Sequence, residues 1–77
     1  MMTSAEYLVS LYATRKVNFH KLIEGYGSQQ AICEAMGVDR AYVSRLATGV
    51  TPIKEQIARE IEGRMGMRFG SLDREVA

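Results

Sequence analysis

The stretch from Ser28 to Gly49 constrains this chain more than any other. It contains two short runs, 29–36 and 40–48, each preceded by a residue suited to capping a helix N-terminus, Ser28 and Asp39, and each followed by a glycine, Gly37 and Gly49. In the first run Ile32, Cys33 and Met36 share one face; in the second Val43, Leu46 and Ala47 do. Helices this short are marginal alone and are held by packing of their apolar faces. With only Val38 between the stop at Gly37 and the cap at Asp39, the two must pack on each other. The small Cys33 lets them approach, Gly37 permits the sharp turn, and Ile32, Met36, Val38, Val43 and Leu46 supply the shared core.

The flanks are helical as well. Thr3-Ser4-Ala5-Glu6 fits a capping box, and Tyr7, Leu8, Leu11 and Tyr12 recur at helical spacing until the pattern fades near Arg15, which predicts a first helix over 3–15. That stripe serves either the core or, in so small a chain, a two-fold partner. Asn18 is read as the cap of a second helix carrying Phe19, Leu22 and Ile23 and ending at Gly25-Tyr26-Gly27. After Gly49, Thr51 is read as a cap with Pro52 at the first position of a fifth helix, whose stripe is Ile53, Ile57, Ala58, Ile61 and Met65. Glu55 with Arg59 and Glu60 with Arg64 form favourable i,i+4 pairs on it. Past Gly66 the chain is expected to be irregular, with Phe69 and Leu72 tucking back. The expectation is an all-α, compact bundle of about five short helices forming one domain over 1–77: an N-terminal helix at 3–15, a core at 18–66 and a tail at 67–77.

Composition narrows the chemistry. Hydrophobic residues make up 47% and charged ones 25%, as in ordinary globular domains. Ten basic residues against nine acidic leave a net charge of +1, so any affinity for nucleic acid must come from how charge is distributed. Arg40, Arg45 and Lys54 stand against Asp39 alone between Val38 and Lys54, whereas Glu55, Glu60, Glu62, Asp73 and Glu75 crowd the C-terminal third. Cys33 is the only cysteine, read as a buried, reduced thiol, and His20 has no partner ligand or orienting acid at suitable spacing. The sequence therefore predicts no metal, no cofactor, no small-molecule ligand and no enzyme activity. Met1–Val9 has neither a basic leader nor a continuous apolar run, which predicts a cytoplasmic protein with no membrane partner.

The outward face of the second short helix reads Arg40, Ala41, Ser44 and Arg45, a set that fits a DNA major groove, where arginine bonds bidentately to guanine. Ser28 and Gln29, at the N-terminus of the preceding helix, are placed to meet a phosphate, with Thr48, Thr51 and Lys54 on the other side. Blander readings stand beside these. Exposed arginines can be solvated surface charge, Ser44 can bond back to a helix carbonyl, Gln29 can be a plain helix former, and Asp39 reads as a cap in preference to a base reader.

From about Asn18 to Asp73 the chain resembles the Cro and lambda-repressor-like helix-turn-helix family of phage repressors. The matching motifs are Gly27-Ser28-Gln29, Gly37-Val38 in the turn, Tyr42-Val43-Ser44-Arg45-Leu46, Gly49 with Pro52-Ile53, and Ala58-Arg59-Glu60-Ile61-Glu62. Cys33 stands where that family usually has alanine, the helix over 3–15 extends beyond the usual core, and the 77 residues hold no separate dimerisation or self-cleavage domain. The resemblance implies base reading by Arg40, Ala41, Ser44 and Arg45, with Gln29 at the phosphate end of the first motif helix. It also implies a sequence-specific transcriptional regulator of the phage-repressor type, binding a pseudo-palindromic double-stranded DNA operator as a homodimer. The alternatives are an antitoxin or accessory regulator, and a helical protein-interaction module that does not bind DNA.

Overall fold

The computed structural model describes residues 3–74. They form four α-helices, α1 (Ser4–Tyr26), α2 (Gln29–Met36), α3 (Arg40–Thr48) and α4 (Glu55–Arg64), followed by a single 3-10 turn, Ser71–Asp73, with no strand among them. The all-α class is as expected, but there are four helices where the sequence suggested five. The two N-terminal helices, separated in the sequence reading between Arg15 and Asn18, are one continuous helix. Two physical facts join them. No glycine or proline stands between Ser4 and Glu24 to stop the helix. Arg15, where the apolar stripe had seemed to end, is itself on the buried face with Phe19, and Leu22 and Ile23 pack beside the core further along. Asn18 caps nothing; its side-chain amide donates to the carbonyls of Leu72 and Arg74, both at 2.8 Å, and ties the C-terminal segment to α1. Thr3 does cap, its hydroxyl accepting from the Glu6 amide at 3.2 Å.

α2 and α3 begin and end where their caps and glycines place them. Ser28 Oγ accepts from Ala31 N at 3.1 Å and Asp39 Oδ1 from Tyr42 N at 2.9 Å. Gly37 (φ 71°) and Gly49 (φ 87°) end the helices in left-handed backbone, which a side chain would strain. The core gathers one or more residues from each element: Phe19, Ile32, Met36, Val43, Leu46, Ile53, Ile61 and Leu72 are all buried, and Cys33 is a buried free thiol. Full burial of one such aliphatic or aromatic side chain is worth about 1.5–3 kcal/mol. Arg64, at the end of α4, donates to the Met36 carbonyl at 2.6 Å, closing the C-terminus of α2 from outside.

α4 starts three residues later than the Thr51-Pro52 pair suggested, with Lys54 at its N-cap and no side-chain cap. Ile53 is buried, its carbonyl accepts from Arg15 Nη1 at 2.8 Å, and Lys54 N donates to the Pro52 carbonyl at 3.0 Å, so 51–54 is a non-helical lead-in and not a first turn of α4. Both i,i+4 pairs are present, Arg59–Glu55 at 3.7 Å and Arg64–Glu60 at 3.2 Å. Residues 67–74 are more ordered than the expected irregular tail; the part of that tail at 75–77 lies outside the described residues. Leu72 enters the core, held by the buried Glu62, whose carboxylate accepts from Gly70 N at 3.0 Å and Leu72 N at 2.9 Å. Phe69 does not tuck in. It is 77% exposed and lies under the Arg59 guanidinium, 4.4 Å from the ring centre.

Beneath this segment lies an ionic cluster. Arg15, 1% exposed, donates through Nε and Nη2 to the two Asp73 oxygens at 2.6 and 3.1 Å and through Nη2 to Glu55 at 2.8 Å; Arg59 Nη2 reaches Asp73 at 2.8 Å. The hydrogen bond from Arg15, then that from Arg59, hold the Asp73 carboxyl below its ordinary range against the opposing effect of burial. A carboxyl whose folded pKa is depressed contributes stability above its unfolded value, and that contribution is lost as pH falls through the folded value. Asp73→Ala is therefore expected to cost about 3 kcal/mol at neutral pH, since it strips a buried guanidinium of its main partner. Urea melts should show the gap between variant and wild type narrowing below about pH 4. A variant as stable as wild type at neutral pH would remove the cluster from the account of this fold.

Candidate nucleic-acid interface

α3 owes its outward face to the way it is buried. Val43, Leu46 and Ala47 point into the core, so at about 100° per residue Ala41, Arg45 and Thr48 lie opposite them, Arg40 and Ser44 on one flank and Tyr42 on the other. Arg40, Ala41, Arg45 and Thr48 are exposed and Ser44 is half-buried. The four residues expected to read bases are thus brought onto one solvent-facing strip. Among the described residues, neither Arg40 nor Arg45 takes part in an ion pair, whereas Arg15, Arg59 and Arg64 all do. Asp39 serves as the α3 cap, with its carboxylate committed to the Tyr42 amide.

The residues expected to meet phosphate are more scattered. Ser28 is exposed but its hydroxyl is engaged as the α2 cap, which leaves the first backbone amides of α2 as the group facing out; Gln29 beside it is half-buried. Thr48 donates its hydroxyl to the Arg45 carbonyl at 3.3 Å, and the Thr51 amide reaches the same carbonyl at 3.1 Å, so Thr51 is folded against the end of α3. Lys54 is exposed at the N-cap of α4, where its side chain makes no capping bond.

Two residues near this site escaped the sequence reading. His20 Nε2 lies 2.6 Å from the Ala47 carbonyl, and since a carbonyl only accepts, that nitrogen carries the hydrogen. Lys16, one turn earlier on α1, runs past Gly49, where an added Cβ would lie 3.5 Å from its Nζ. His20 thus sets a hydrogen-bond donor, and Lys16 a positive charge, against the negative end of the α3 dipole. Their i,i+4 spacing was visible, but without knowing that α1 is continuous nothing pointed it at α3.

Beside Arg45 a shallow hollow is lined by Val38, Asp39, Tyr42 and Glu60. Among the described residues no group of three His, Cys, Asp or Glu side chains is arranged to hold a metal ion, and no helix is long and apolar enough to cross a membrane. Comparison of the chain with protein-family models, curated proteins and solved structures gives no match.

Support and surface should separate cleanly in stability measurements. Asp39→Ala is expected to cost about 1 kcal/mol through loss of the cap. Arg40→Ala/Arg45→Ala should leave stability within about 0.5 kcal/mol of wild type, as for exposed side chains without partners. Thermal melts followed by circular dichroism check both, and a strongly destabilised double variant would mean that these arginines hold the fold together.

Proposed function

We propose that the protein is a sequence-specific DNA-binding regulator of the lambda-repressor-like helix-turn-helix type, with α2 and α3 as the motif and α3 as its recognition helix. The observation that carries this reading is the outward strip of α3, where Arg40 and Arg45, which enter no ion pair among the described residues, stand beside Ala41 and Ser44 on a helix whose other face is locked into the core. In this reading α3 enters the major groove by its N-terminal half and Arg40 and Arg45 meet base edges. Phosphates meet the N-terminus of α2 around Ser28 and Gln29 on one side and Thr48, Thr51 and Lys54 on the other. Two copies on a pseudo-palindromic operator place their recognition helices about 34–36 Å apart, and regulation follows from occupying the DNA, with no chemical step.

A salt-dependent titration of the protein with DNA flanking its own gene, against a scrambled competitor, tests the reading. Wild type is expected to prefer the flanking DNA by about a thousandfold or more, with affinity falling steeply as salt rises. Arg40→Ala/Arg45→Ala should lose the preference while keeping its fold. Binding that is insensitive to salt and to sequence would rule the reading out.

A further inference from the structure

The N-terminal half of α1 leaves much apolar surface in solvent. Ala5, Tyr7, Leu8, Val9 and Ala13 are all exposed on it, with Glu6 its single acid. Exposed apolar surface of this extent calls for cover, yet within one chain only the half beyond Arg15 reaches the centre of the core. On one side, Val9, Tyr12, Ala13 and Lys16 form a wall of an open groove of about 310 Å³, with Leu46 and the 48–53 segment opposite.

We propose that this groove receives α1 of a second copy, the two helices running antiparallel about a two-fold axis at position 11, with Glu6 of each copy against Lys16 of the other. The spacing of the groove-side residues carries the inference. Val9, Ala13 and Lys16 line the groove, and Glu6, outside it, continues the same helix face, so the row recurs at intervals of three, four and three, the alternation of a helix-pairing seam. The order is self-complementary when reversed. Symmetry about position 11 sets Glu6 opposite Lys16 and Val9 opposite Ala13. Val9 is 69% exposed and meets the small Ala13, which lets the helices close. Among the described residues, Lys16 is the only charged one lining the groove. Within one chain Glu6 and Lys16 are about 15 Å apart along the helix and cannot pair; only a second molecule brings them together. A two-fold pairing of this kind is what an isologous dimer requires. The inference rests on the DNA-reading proposal for its use, since a palindromic operator calls for two copies, but it is argued from α1 alone.

Sedimentation velocity over a concentration series, without DNA, tests it by charge exchange. Wild type should dimerise reversibly. Glu6→Lys and Lys16→Glu should each raise the dimer Kd at least about tenfold, because two symmetry-related attractions become repulsions. The combined variant should recover most of the wild-type affinity. Ala13→Glu, at an exposed helical position with no role in the core, should abolish association while melting like wild type, which separates a blocked seam from a damaged fold. A wild type that stays monomeric to its solubility limit overturns the proposal, as does a dimer indifferent to Glu6→Lys and Ala13→Glu. A dimer that obeys the charge exchange but ignores operator DNA overturns the regulator reading and leaves the interface standing. Operator preference in a protein monomeric when free does the reverse.

Discussion

One guanidinium organises this fold. Arg15 is buried in the middle of α1, and each of its three nitrogens is used, on the Ile53 carbonyl, on Glu55 and on both oxygens of Asp73. An unpaired buried charge would cost several kcal/mol, comparable to the burial of one or two core side chains, so the partners must come to it. They come from far along the chain, at sequence separations of 38, 40 and 58 residues. Three consequences follow. α1 runs unbroken through Arg15, the chain after Gly49 stays non-helical until Ile53 has met the guanidinium, and the segment at 70–74 lies where Asp73 and Asn18 hold it. Leu72 then completes the core beneath, with Glu62 satisfying the amides that its entry would otherwise strand.

The parts of the fold legible in sequence were those set by local chemistry. Ser28, Gly37, Asp39 and Gly49 bound α2 and α3 to the residue, because capping hydrogen bonds and left-handed glycines act within a few positions of where they sit. The misreadings share a different cause. Arg15 looked like the end of a stripe because a charged residue rarely occupies a core position, and the partners that make it tolerable are remote. Asn18 and Pro52 both carry valid local signals for starting a helix. Tertiary bonds overrode them, from Asn18 to two carbonyls near the C-terminus and from Arg15 to the Ile53 carbonyl. Phe69 and Leu72 were indistinguishable as apolar tail residues until Glu62 selected which amides to hold.

The candidate site divides along the same line. The strip Arg40, Ala41, Ser44 and Arg45 followed from helical periodicity alone, since its complement, Val43, Leu46 and Ala47, is the buried face. The flanking positions depended on how loops close, and there the structure departs from a simple rim around α3: the hydroxyls of Ser28 and Thr48 are engaged locally, and Thr51 folds against the Arg45 carbonyl. What periodicity could not supply was the support from α1, where Lys16 and His20 reach the far end of α3.

The charge balance takes on a different meaning once the ion pairs are placed. A net charge of +1 suggests a chain indifferent to polyanions. Yet Glu55, Glu60, Glu62 and Asp73 are all answered within the chain by Arg15, Arg59 and Arg64. Asp39, at the start of the α3 strip, is bound to the Tyr42 amide of its own helix, where a carboxylate offsets the positive end of the dipole and its field is partly cancelled. Four of the nine acids are thus spent on intrachain ion pairs and a fifth, Asp39, on a helix cap. Among the described residues Arg40 and Arg45 enter no ion pair, on the one helix face that the core leaves free. A nearly neutral protein can carry locally cationic side chains in this way even with Glu60 in the hollow beside Arg45, because that carboxylate is paired with Arg64.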